Sequence, residues 1–308
     1  MEPTRQPVLA PAYAIGVDLG GTNLRIASVG IDGTVHERIA LDTQIGEGRE
    51  QVIRDMCEAI ADLTRRTPEA RLLGIGIGVP GIINLSTGLI RQSPNLPGWN
   101  DFPVQADIER RLGTRVVLEN DANAAALGEK WVGTGRDVSG LCLLTLGTGI
   151  GGGVILDGQI WHGKDGMGGE VGHMTIDPNG ALCGCGNLGC IEAYASATAI
   201  VRMASVAIRA GRSPALMKAA AEVGEVTAEI VYIHAKEGDR VAREIFDRVG
   251  RSLGVAVANL INIFNLPLYV LAGGVSKAWD VFGVQVLEEV EKRSVVFRAT
   301  QARIEVTA

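Results

Sequence analysis

The sequence predicts an α/β protein built as two related lobes facing a shared cleft. Three observations carry that expectation. Apolar runs bounded by glycine turns alternate with helical patterns along the chain. A strand, glycine turn, strand arrangement opens at residues 13–29 and appears again at 141–156. Hydrophobic residues make up 46% of the 308 positions and charged ones 21%, a folded composition with enough chain for two lobes. Aromatics are only 4%, so the core has to come from Leu, Ile, Val and Ala. The 41 glycines gather beside apolar runs, which marks functional turns rather than a flexible linker.

Taken in order, residues 13–19 read as an apolar strand, Gly20-Gly21 as a turn and 24–29 as the returning strand. Asp32-Gly33 marks the next turn, and a third strand runs to about Leu41. A helix fits 50–66, because Val52, Ile53, Met56, Ile60 and Leu63 recur at helical spacing. Residues 72–79 form a buried strand ending in Pro80-Gly81. Another, 116–119, leads into Asn120-Asp121 and an alanine-rich helix. The opening pattern then returns as strand 141–146, turn Gly147-Thr148-Gly149, strand 152–156 and turn Asp157-Gly158. The last third is mostly helical, with long patterns at 197–210 and 240–264. One strand, 268–272, interrupts it and ends in Gly273-Gly274 ahead of a helix near Ser276.

Twenty-nine basic and 35 acidic residues give a net charge of −6, and no Lys/Arg run tracks a phosphate backbone. Both features disfavour a nucleic-acid partner. No stretch reaches the roughly 18 apolar residues that span a bilayer, so no membrane partner is expected. The first dozen residues read as a frayed tail, not a secretory signal, and the expected location is cytoplasmic. Five cysteines, an odd number, argue against a disulfide framework, and three of them crowd into residues 183–190.

In Asp18-Leu19-Gly20-Gly21-Thr22-Asn23 the glycines let backbone N–H groups approach phosphate oxygens. The threonine adds a hydroxyl, and the aspartate can hold a hydrated magnesium ion. Alone, the motif also reads as a plain tight turn. The second run, 147–153, strengthens the phosphate reading, since two such turns suit a nucleotide clamp. Gly273-Gly274 fits the adenosine end and equally an ordinary strand-to-helix turn. His173, Cys183, Cys185 and Cys190 offer one imidazole and three thiols, the donor set of a closed structural zinc site. The alternative is buried or redox-active thiols beside a core histidine, but glycines at 184, 186 and 189 suit a chain wrapped round an ion. Cys57 and Cys142 read as packing residues. Asp121 stands where a helix N-cap is ordinary. Glu170 and Glu192 read singly as solvated charges, but tethered to one metal loop they could grip hydroxyls. Asn95 and Asn120 are candidate amides for the same task, and Trp99 reads as a packing anchor.

Together, Asp18-x-Gly-Gly-Thr22, Pro80-Gly81, Asn95-Leu-x-x-Trp99, Glu119-Asn-Asp-Ala-Asn123, Gly147-Thr-Gly-x-Gly-Gly152, Gly169-Glu-x-Gly-His173 and Cys183-x-Cys-Gly-x-x-Gly-Cys190-x-Glu192 resemble the ROK family of bacterial repressors, open reading frames and sugar kinases. The resemblance is greatest to its glucokinases and runs from about residue 13 to the end. It implies a two-lobed actin-like, hexokinase-like (ribonuclease H-like) ATPase fold with a central cleft. Residues 1–120 would form a small α/β lobe, with 299–308 a candidate to return to it, and 121–298 a large lobe carrying the zinc loop. The implied activity is ATP-dependent phosphorylation of a hexose 6-hydroxyl, glucose first, in glycolysis. Asp121 would be the general base. Gly81, Asn95, Asn120, Asp121, Glu170, His173 and Glu192 would contact the sugar, His173 while also binding zinc with Cys183, Cys185 and Cys190. Asp18, Gly20, Gly21, Thr22, Asn23, Thr148 and Gly149 would hold the phosphates of ATP with its Mg2+, and Gly273 and Gly274 the nucleoside side. A homodimer or homotetramer is implied as well.

Within the same class the acceptor could instead be fructose, mannose, allose, N-acetylglucosamine or N-acetylmannosamine, or the donor polyphosphate. More distant readings are a non-catalytic sugar sensor and a ROK-type repressor. A repressor needs a DNA-reading module, and only about a dozen residues precede the first strand, too few for one. Two departures from the family pattern stand out. Many members carry lysine after Gly-Gly-Thr where this chain has Asn23, so no cation is expected there. The sequence also stops at Ala308, after the strand-like RIEVTA, where the family continues into a glycine turn and a closing helix, so a covering helix is expected to be missing.

Overall fold

The computed structural model describes residues 12–93 and 95–307, so the expected amino-terminal tail lies almost wholly outside the described residues. The chain divides into two compact units, Met1–Ala124 with His162–Met167, and Ala125–Trp161 with Gly168–Ala308.

In the first unit, β1 (Ala12–Leu19) and β2 (Asn23–Gly30) bury Tyr13, Ile15, Val17, Leu19, Leu24 and Ile26 at alternate positions. That period of two is what a strand needs to lay one face on a core. β3 (Val35–Asp42) is exposed almost throughout and forms the sheet edge. α1 (Arg49–Arg65) buries Val52, Ile53, Met56, Ile60 and Leu63, the stripe its spacing predicts. β4 (Arg71–Val79) follows, then a small hairpin of β5 (Ile82–Asn84) and β6 (Leu89–Gln92), α2 (Val104–Leu112) and β7 (Val116–Asn120). The sheet order is β3-β2-β1-β4-β7, antiparallel among the first three strands and parallel from β1 onward. Trp99 is buried and meets Phe102 edge-on, with ring centroids 6.3 Å apart, so it anchors the loop that carries Asn95. α3 (Asp121–Trp131) starts directly where β7 stops.

The second unit repeats the scheme. β8 (Leu141–Leu146), β9 (Ile150–Leu156) and β10 (Gln159–Ile160) form an antiparallel meander. Helices α4 (Glu192–Ala195), α5 (Ala197–Arg209), α6 (Pro214–Val223), α7 (Ala228–Glu237) and α8 (Arg240–Phe264) lead to β11 (Leu268–Ala272). α9 (Trp279–Arg293), α10 (Val295–Thr300) and β12 (Arg303–Val306) complete it. The order β10-β9-β8-β11-β12, antiparallel then parallel, matches the first sheet strand for strand. The short self-similarity in sequence therefore has a structural counterpart.

Local chemistry explains where these helices begin. Ser196, Ser213, Thr227 and Asp239 each accept a first-turn N–H of α5, α6, α7 and α8. Caps of this kind are each worth about 1 kcal/mol. α8 buries an apolar stripe from Val241 to Ile261 and forms the centre of the larger core.

Two expectations are corrected. The carboxy-terminal segment does not return to the first lobe: β12 pairs in parallel with β11, Leu268 opposite Arg303, and Ile304 and Val306 pack on the core of the second unit. The helix expected near Ser276 is a 3-10 turn, Gly274–Ala278, running into α9. Among the described residues, no helix is long and apolar enough to cross a membrane.

Candidate functional site

The first glycine turn joins β1 to β2. It is closed by Gly20 N–H donating to the Asn23 carbonyl at 2.9 Å, and braced by Thr43, whose Oγ1 donates to the Gly20 carbonyl at 2.9 Å and whose N–H reaches Thr22 O at 2.8 Å. Thr22 and Asn23 are exposed. The Asn95 loop packs against this turn, since a Cβ on Gly21 would lie 3.0 Å from the Asn95 carbonyl. Asp18, also exposed, faces Arg25 across the hairpin, with Nη1 to Oδ2 at 3.1 Å. So open an ion pair adds little stability, but it brings to this turn the cation that Asn23 does not supply.

At the end of β7, Asn120 is held at both ends of its amide, with one Nδ2 hydrogen left over among the described residues. Its Oδ1 accepts the N–H groups of Ala122 at 2.9 Å and Asn123 at 3.2 Å, and its Nδ2 donates to Gly81 O at 3.3 Å. Asn120 is thus the cap of α3, and Asp121 is the first helical residue, exposed, with Oδ1 accepting Ala122 N–H at 2.9 Å. Gly81 has φ of +109°, and a side chain there would overlap the Gln92 carbonyl, so only glycine fits. Below this corner lies a pair that sequence reading missed: Glu119 Oε2 meets His162 Nε2 at 2.8 Å, while Glu119 Oε1 accepts Asn123 Nδ2 at 3.0 Å and Asn120 N–H at 2.9 Å.

In the second unit the expected residues of three kinds come together. The four candidate ligand atoms of His173, Cys183, Cys185 and Cys190 all lie within 4.8 Å of one another. Cys183 Sγ is 3.7 Å from His173 Nδ1, and Cys185 Sγ is 3.7 Å from Cys190 Sγ. A tetrahedron with metal–sulfur bonds of about 2.3 Å has edges of about 3.8 Å, so the donor set and its two 3.7 Å separations are compatible with zinc. Burial pushes the Cys183 thiol up to about 12 and also raises Cys190, whereas the Asn187 backbone N–H pulls Cys185 down. A bound metal would displace the protons of the first two. Asn187 also reaches Cys190 Sγ from Nδ2 at 3.5 Å, a second bond from the loop to the thiols.

Glu192 is half-buried, with Oε2 accepting the Ile150 N–H at 2.9 Å and Oε1 3.5 Å from Cys183 Sγ. Glu170 is exposed, at the start of the short turn Val171–His173. Gly172 in that turn is pressed so closely on the Ile150 carbonyl that any side chain would overlap it. The Gly147–Gly149 turn is held from behind, where Gly147 O accepts Ala197 N–H at 2.8 Å and Thr148 O accepts Thr198 Oγ1 at 2.7 Å. Gly273 abuts Leu146, its missing Cβ only 2.7 Å from that carbonyl, and Gly274 beside it is exposed.

Residues 14–308 match the ROK family. The chain is 43% identical over 267 residues to the glucokinase of Thermotoga maritima, covering 87% of this chain and 83% of that one. It is 35% identical to the xylose repressor of Caldicellulosiruptor bescii over 98% of this chain and 77% of the other. A ROK family glucokinase from Streptomyces griseus, solved in complex with glucose and AMPPNP, superposes with a TM-score of 0.77 at 31% identity, over 96% and 94% of the two chains. The fold is therefore the two-lobed, actin-like sugar-kinase fold that the motifs implied, and the chain belongs to the ROK family.

Proposed function

We propose that this chain is an ATP-dependent hexokinase that phosphorylates the 6-hydroxyl of glucose. One conjunction carries the reading: its likeness to glucokinases extends over most of the chain, and Asp121 stands at the start of α3 beside Asn120, whose Oδ1 caps the helix. Phosphoryl transfer has a loose transition state, so positioning and charge neutralisation supply most of the rate. Asp121 takes the proton of a poorly acidic alcohol, late in the transfer. Gly81, Asn95, Asn120, Glu170, His173 and Glu192 contact the sugar. His173 can serve metal and sugar together, because its Nδ1 faces the thiols and its other ring nitrogen remains for a hydroxyl. Glu170 and Glu192 give selectivity, since a missing hydroxyl leaves a carboxylate unpaired. Asp18 to Asn23, Thr148 and Gly149 hold phosphate oxygens, and Gly273 and Gly274 the nucleoside side. Magnesium, bound with the nucleotide, supplies neutralisation of phosphate charge. Zinc at His173, Cys183, Cys185 and Cys190 organises the loop and does no chemistry. The enzyme works in the cytoplasm, where the first step of glycolysis draws on ATP, as a homodimer or homotetramer.

The test is an assay of ADP release with MgATP and a panel of hexoses, run beside Asp121→Asn. Glucose should turn over best, and the variant should lose about 10²- to 10⁴-fold in kcat with glucose KM little changed. Faster turnover of an N-acetylhexose would reassign the substrate. A second reading, a non-catalytic sugar-responsive regulator, is favoured by the likeness to a xylose repressor. It predicts sugar binding without turnover and specific DNA binding.

A further inference from the structure

We propose that the metal loop sets the second glycine turn, so that metal occupancy of the His173/Cys183/Cys185/Cys190 cluster controls affinity for nucleotide phosphate, with Glu192 and Thr198 as the positioning residues. The proposal rests on the reading of Gly147–Ile150 as a phosphate turn.

The geometry is a clamp closed on one residue. Ile150 donates its N–H to Glu192 Oε2 at 2.9 Å, and Glu192 stands two positions after the ligand Cys190. Gly149 must lack a side chain for this contact, because its Cβ would lie 2.5 Å from the same oxygen. The Ile150 carbonyl is covered from the other side by Gly172, the residue immediately before the ligand His173. One peptide segment therefore touches both arms of the metal loop. The arms are also laced together, with Ile176 N–H on Gly189 O at 2.9 Å and Ile191 N–H on Met174 O at 3.0 Å. The remainder of the turn hangs on the helix that follows, Gly147 O on Ala197 N–H at 2.8 Å and Thr148 O on Thr198 Oγ1 at 2.7 Å.

Without an ion, the two backbone bonds between the arms and four side chains at thiol contact distances are what hold them. A metal replaces the side-chain contacts with coordinate bonds and fixes Gly172 and Glu192 relative to each other. Ile150, held by both, is fixed with them, and the N–H groups of Thr148 and Gly149 just before it are then pre-aimed at a ligand, which lowers the ordering cost of binding. Coupling between two ligand sites is reciprocal, so bound nucleotide should also slow the loss of metal to a chelator.

The experiment uses the full chain with no sugar present. Amide exchange of peptides covering 147–151, and the Kd of a non-hydrolysable ATP analogue with Mg2+, are measured on metal-loaded, chelator-stripped, Glu192→Ala, Glu192→Gln and Thr198→Val protein. Stripping and Glu192→Ala should each speed exchange at Ile150 about tenfold and weaken the analogue by a similar factor, the size expected for loss of one charge-assisted bond. Glu192→Gln, which keeps an acceptor, should recover most of both. Thr198→Val should weaken the analogue about fivefold with metal content unchanged. Unchanged exchange and affinity in stripped protein that keeps its circular dichroism overturns the proposal. Where stripping unfolds the chain, unchanged exchange and affinity in both Glu192→Ala and Thr198→Val overturn it equally. The phosphate reading fails separately: in loaded wild-type protein the analogue would then give no protection at 147–151, whatever stripping does to exchange.

Discussion

The two units share one sheet topology, yet their glycine turns are held by different means. The β1–β2 turn leans on the end of β3 through Thr43 and on the Asn95 loop through Gly21. The β8–β9 turn leans on Glu192, Gly172, Ala197 and Thr198, groups that come from or adjoin the metal loop. Repetition of a fold thus fixes where a glycine turn falls but not what keeps it rigid. The first turn is braced by its own sheet and the Asn95 loop, the second by the segment that carries the candidate metal ligands and by the start of α5. That contrast predicts different sensitivities for the two units.

The sharpest way to break it is with one methyl group. In Gly172→Ala the new Cβ would overlap the Ile150 carbonyl, whereas a Cβ on Gly16 in β1 meets nothing within 4 Å. Gly172→Ala should therefore cost about 3 kcal/mol, at the upper end for overpacking, and lower zinc stoichiometry. Gly16→Ala should change stability by no more than about 1 kcal/mol, in either direction. Thermal unfolding together with metal analysis of both variants checks this. Equal losses would mean that the turn and loop do not depend on each other as closely as the contact implies.

A smaller effect depends on pH. Each unit holds one nearly buried carboxylate between arginines. Asp107 draws on Arg110 and Arg111 of its own helix, whereas Glu289 draws on Arg293 of its helix and on Arg251 across the α8–α9 seam. Burial pushes the Glu289 carboxyl up, but the Arg293 bond and the Arg293, Lys292 and Arg251 charges outweigh it and hold it below its ordinary 4.5. A lowered native value stabilises the fold above the ordinary value, and that contribution is lost as pH falls through the native one. Glu289→Gln should thus cost about 2 kcal/mol near neutrality, and the gap from wild type should close as pH falls below 4.5 and through the lowered native value. A gap that persists in acid would point to lost packing instead of lost charge.

Much of this was legible in the sequence, for physical reasons that differ by element. Residues 141–146, 240–264 and 268–272 match β8, α8 and β11 because sharp apolar patterns end there at turn or capping residues. The metal cluster was legible because its ligands are close in sequence and spaced by glycine. Pairings set by tertiary approach were not. Glu119 with His162 and Glu192 with Ile150 join positions about forty residues apart, and nothing local to a glutamate announces its partner. Arg25 could have been found, since a hairpin turning at Gly21-Thr22 puts positions 18 and 25 opposite each other. At the start of α3 the rule located the cap but not its owner. Where β7 stops decides that Asn120 caps and Asp121 begins the helix.

The smallest predicted effect tests the first turn alone. Thr43→Val removes the Oγ1 bond to Gly20 O but keeps the backbone bond from residue 43 to Thr22 O. Valine is close to threonine in shape, and Thr43 lies at the end of an exposed edge strand, so packing should hardly change. One neutral bond is worth about 1 kcal/mol net, so nucleotide affinity should fall no more than about fivefold. Metal retention should be unaffected, because the Thr43 side chain bonds to the β1–β2 turn, in the unit without the cluster. Thr198→Val is the matched deletion in the second turn, and there nucleotide affinity should fall further when the metal is stripped. If nucleotide affinity in Thr43→Val tracks metal content as strongly as in Thr198→Val, the two turns are not independently braced, and the distinction between a turn held by its sheet and a turn held by the segment 173–192 is lost.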